Sequence, residues 1–77
     1  MMKCEFEALV KHPVSQQCYD RIEQVYTNCD AIKDKAHIAR IYQIHDMLGI
    51  ETIFQVITGH ATTDNMISAA KYIKEAE

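Results

Sequence analysis

Residues 31–58, AIKDKAHIARIYQIHDMLGIETIFQVIT, decide what this chain becomes. In the first part of the stretch Asp34, His37, Ile38, Ile41, His45 and Leu48 fall on one face of a helix. That spacing predicts a helix from about Ala31 to Leu48, with Asp30 placed to accept hydrogen bonds from its opening amides. Gly49 follows as a stop signal, because glycine enters the left-handed conformation that closes many helices, and Ile50 would then fold back over the last turn. The second part is ambiguous. Ile50, Ile53, Phe54 and Ile57 have helical spacing, whereas Thr52, Ile53, Val56, Ile57 and Thr58 are β-branched and favour a strand. Gly59 offers a further C-terminal cap, and a lone strand would need a partner that only the N-terminal segment can supply. A short helix over Glu51–Thr58 is therefore expected, apolar almost all round and the most buried element.

On the N-terminal side, Val14, Cys18, Ile22, Val25 and Cys29 make the cleanest helical stripe of the chain. Pro13 separates it from Met2–Lys11 and suits the first turn of the helix it precedes. Met2–Lys11 reads as helix by its Met, Glu, Ala and Leu content, although Cys4, Phe6, Ala8 and Val10 also alternate as in a strand. On the C-terminal side, Thr62 or Thr63 can cap a last helix with Met66, Ala69, Ala70, Ile73 and Ala76 inward and Asp64, Lys71, Lys74 and Glu75 toward water. The expected fold is all-α, a single helical domain over residues 1–77 with four or five short helices. The runner-up is α+β, with residues 3–10 and 52–58 paired as a two-stranded sheet.

Composition narrows the classes of function. Seventy-seven residues leave no room for a second domain and provide a thin core, so self-association is expected. A formal charge of −3 repels a phosphate backbone and gives no pull toward an anionic membrane, which makes nucleic acid an unlikely partner. No apolar run approaches the roughly 18 residues of a bilayer span, and the N-terminus lacks the apolar stretch of a signal peptide. Cys4, Cys18 and Cys29 are an odd set without CxxC spacing, which suits reduced thiols in a cytoplasm. No cofactor motif, phosphate loop or nucleophile context occurs, so no enzyme is expected.

Three readings of the chemistry remain. Asp34 and His37, three residues apart, suggest a carboxylate that orients an imidazole, with His45 on the same stripe as a possible polar site. The ordinary alternative puts His37 and Asp34 at the solvent edge and His45 on a neighbouring carbonyl. His37 and His45 lie roughly 12 Å apart along the axis and cannot share one metal ion. Secondly, Ile41–Leu48, Gly49–Ile50 and Thr52–Thr58 outline a helix-turn-helix, hence a DNA-binding regulator, but the second helix carries no lysine or arginine. The third reading is favoured: a non-enzymatic protein-interaction or regulatory domain, acting as a homodimer or on a larger protein. Its surface would be apolar and tyrosine-rich, formed by Tyr19, Ile22, Tyr26, Phe54 and Val56.

Overall fold

Four helices, α1 (Lys3–Val10), α2 (Gln16–Asn28), α3 (Lys35–Ile57) and α4 (Thr63–Glu75), make up a computed structural model that describes residues 1–77. There is no strand, so the all-α expectation holds and the sheet of residues 3–10 and 52–58 is discarded. Residues 3–10 are helical because Phe6 and Val10, four apart, both reach the core while Cys4 and Ala8 stay exposed. Glu5 Oε1 accepts the Met2 amide at 2.9 Å, and Lys11 ends the helix in the left-handed region at φ 64°.

Side-chain caps open the other helices. Ser15 Oγ accepts from the Cys18 amide (3.1 Å), Asp34 Oδ1 from the His37 amide (2.8 Å) and Thr62 Oγ1 from the Asn65 amide (3.2 Å). Two expected starts therefore move: Pro13 lies in the α1–α2 connection, and Asp34 rather than Asp30 begins α3. At the far end of α3 the Gly59 cap is as expected. Its φ is +77°, the His60 amide reaches Gln55 O at 2.9 Å, and the Gly59 amide reaches Val56 O at 3.1 Å, a Schellman closure.

The largest departure from the sequence reading concerns Gly49. It does not stop a helix; it is buried inside α3, which continues to Ile57. The interruption lies three residues earlier, at Asp46, whose φ of 55° and ψ of −156° are not helical. On an unbroken helix, at about 100° per residue, the face of Ile38, Ile41 and His45 and the face of Ile50, Ile53 and Ile57 point roughly a third of a turn apart. One core cannot receive both faces from a straight rod, and the break turns the second half so that it can. Residues 51–58 are accordingly no separate helix. Nor are they the most buried segment, since Phe54, Val56 and Ile57 are only half-buried. The helix-turn-helix outline goes with the turn at Gly49 that it required.

Asp46 holds its conformation against a cost of about 1–3 kcal/mol, offset in part by its own Oδ1, which accepts the Met47 amide at 2.8 Å. Asp46→Gly should raise stability by about 1 kcal/mol, a rise of roughly 4–8 °C in Tm for a domain of this size, whereas Asp46→Ala should lower it. Thermal melts of the two variants check the break, because in an ordinary helix interior the two signs would be exchanged.

The core centres on α3. Phe6, Ile22, Val25, Ile38, Ile41, Ile50 and Ile53 are at most 1% exposed, and α1, α2 and α4 each pack mainly on α3. Polar contacts follow the same plan: Lys35 reaches Glu5 at 2.6 Å, and Arg21 pairs with Glu51 at 2.9 Å while lying over the Phe54 ring at 3.7 Å. The Lys35 ammonium, followed by the Met2 amide, holds the Glu5 carboxyl below its ordinary range.

Candidate functional site

The stripe that drew attention to Asp34, His37 and His45 forms a seam between α3 and the last turn of α4. His37 is 1% exposed, not at a solvent edge. Its Nδ1 accepts the Lys33 amide at 3.0 Å, which requires that nitrogen to be unprotonated. Its Nε2 lies 2.8 Å from Ile73 O and, as the protonated nitrogen, donates to that carbonyl, one of the unpaired acceptors at the end of α4. Both ring nitrogens are thereby used, and neither is left for a metal or a substrate proton. Asp34 binds the backbone amide of His37 and not its ring, so the expected carboxylate–imidazole pair is replaced by a helix cap.

Two more contacts continue the seam. Arg40 Nε donates to Ala76 O at 2.6 Å, and His45 Nε2 lies 3.1 Å from Glu75 Oε2. The His45 ring also lies on Tyr72, with centroids 4.0 Å apart, so its partner is a carboxylate and a phenol ring rather than the expected carbonyl. No three His, Cys, Asp or Glu side chains come together in a metal-holding group. Together these contacts tie α3 to the last turn of α4.

The five residues expected to form the interaction surface are scattered. Ile22 is fully buried and Tyr19 is 7% exposed, so both belong to the core and cannot meet a partner. The Tyr19 hydroxyl is 2.7 Å from Met1 O and 2.7 Å from Glu23 Oε2; burial first, then the Glu23 carboxylate, pushes its pKa up. Tyr19 faces the interior, where it packs near Phe6 with ring centroids 6.4 Å apart, and so makes no common surface with Tyr26. Tyr26 lines a hollow of about 650 Å³ with Leu9 and Lys35, half of whose lining is polar, and Phe54 lies under Arg21. Of the five, Val56 alone lines the most apolar concavity.

That concavity is a groove of about 490 Å³ between the second half of α3, α4 and the α2–α3 connection. Ile53, Val56 and Ile57 form one wall, Met66, Ala69, Ala70 and Ile73 the other, and Cys29 and Ala31 close one end. Lys74 and Glu77 are the only charged residues in its lining. Its volume falls within the range of roughly 300–1,000 Å³ usual for binding pockets, and its lining is more uniformly apolar than most surface hollows. In its lining Met66 is 54% exposed and Ala70 is exposed too, where the sequence reading had placed both inward; Ile67, next along α4, is 63% exposed. The signal was present in α4 itself: Met66, Ile67, Ala69, Ala70, Tyr72, Ile73 and Ala76 surround more of the helix than one core-facing stripe needs. No known protein family, curated protein or solved structure matches the chain. The groove must therefore be interpreted from its own chemistry. No helix is long and apolar enough to cross a membrane.

Proposed function

We propose that the chain is a non-enzymatic interaction domain that receives an apolar segment of a protein partner in the α3–α4 groove. The observation that carries this reading is the groove's lining, in which nine of eleven residues are hydrophobic, the exposed Met66 among them. A concavity with so apolar a lining is a common kind of place for another molecule to bind. The interaction surface expected from tyrosines thus moves to aliphatic side chains, with Val56 common to both. The three unpaired thiols, one of them the exposed Cys4, suit a reducing compartment such as a cytoplasm.

Ala70 is exposed and helical, so arginine there should fold normally while it puts a charge into the groove. Immobilised wild-type protein should retain a partner from host lysate that Ala70→Arg does not, with the two chains giving the same circular dichroism spectrum. Retention of the same proteins by both would remove the groove from the function.

A further inference from the structure

We infer that the partner of this groove face is a second copy of the same chain, bound through α4 in antiparallel orientation; this rests on the docking role proposed above. Thr63, Met66, Ile67, Ala70 and Lys74 recur every three or four residues and are all exposed, so α4 carries a second, outward stripe beside the groove. Two antiparallel copies of such a stripe, related by a two-fold axis level with residue 69, midway between Asp64 and Lys74, bring Met66 and Ile67 of each against the other's α4. The small Ala70 side chains at the crossing allow close approach. An isologous contact of this kind closes on itself and does not propagate.

The charges of α4 are arranged for the same pairing. Glu75 is engaged by His45 and Lys71, and Glu77 by Lys33. Asp64, in the first turn, and Lys74, in the last, enter no ion pair within the chain. They lie ten residues apart, about 15 Å along the helix. Antiparallel placement sets each Asp64 beside the other copy's Lys74 and makes two equivalent ion pairs, while the opposed helix dipoles also attract. A parallel arrangement would put like charges together. Only 15 of 77 residues are buried in the single chain, so apolar area covered by a second copy adds appreciably to what the fold hides.

Sedimentation velocity of the full chain over a range of concentrations tests the assignment. Wild type should show a concentration-dependent dimer. Asp64→Lys and Lys74→Asp, both exposed changes that leave the fold intact by circular dichroism, should each weaken it at least tenfold, and the double exchange should restore it. A monomer at every concentration overturns the proposal, and so does a dimer that the single exchanges do not weaken or that the double exchange does not recover. A monomer whose lysate partner is still lost on Ala70→Arg overturns self-association and leaves the groove as a docking site. A monomer whose captured proteins are unchanged by Ala70→Arg overturns both.

Discussion

His37→Ala should cost about 3–5 kcal/mol, mostly for the void left in the core, with a smaller part from two part-buried polar groups that lose their partner. The Lys33 amide and the Ile73 carbonyl each meet a ring nitrogen of His37. Folded domains of this size have total stabilities near the low end of about 5–15 kcal/mol, so the variant should be largely unfolded or melt far below wild type. Asparagine and glutamine should give intermediate values, since their amides can reproduce one of the two bonds but not both. His60→Ala, at an exposed position in the α3–α4 turn, should leave the midpoint almost unmoved. Urea unfolding followed by circular dichroism orders the four variants. A His37→Ala protein as stable as wild type would return the residue to the list of candidates for chemistry.

Gly49→Ala should destabilise the protein by about 1–3 kcal/mol, the usual cost of forcing an extra carbon into a filled space. The opposite sign applies in an unbroken helix interior, where alanine gains about 0.5–1 kcal/mol over glycine. A Cβ built on Gly49 lies 2.6 Å from His45 Cβ, an approach that arises because the break at Asp46 folds the end of the first half of α3 toward the second. His45 cannot move aside cheaply, because its ring is fixed between Tyr72 and Glu75. His45→Gly removes the obstructing atom, so the cost of Gly49→Ala should largely disappear in that background, a non-additivity that a double-mutant cycle measures. A thermal melt showing that Gly49→Ala stabilises the protein would place a continuous helix where the structure has a break.

These two residues also show what the sequence discloses and what it withholds. The stripe Val14, Cys18, Ile22, Val25, Cys29, the Gly59 closure and the Thr62 cap act through neighbours within a turn or two, and they were legible. Gly49 was misread because the same residue serves as a terminator or as a place of close approach, and only the φ of Asp46 decides which. A trace of that decision was present: the core positions step by five between His45 and Ile50, where an even helix would step by three or four. His37 could not be placed because one of its two partners, the Ile73 carbonyl thirty-six residues after it, is brought to it by tertiary packing alone. The groove was missed for a related reason. The sequence assigned Met66 and Ala70 to the inside of a helix that has apolar side chains on more than one side, and it is the placement of α4 against the rotated half of α3 that leaves them out.

The dependence of α1, α2 and α4 on a common central helix has a consequence for how this protein accumulates change. Outer helices that share little contact with one another should drift independently, their effects summing as separate entries would. Alterations within Lys35–Ile57 are felt by all three neighbours at once, so that helix is the part of the molecule where a tolerated substitution depends most on which others came before it.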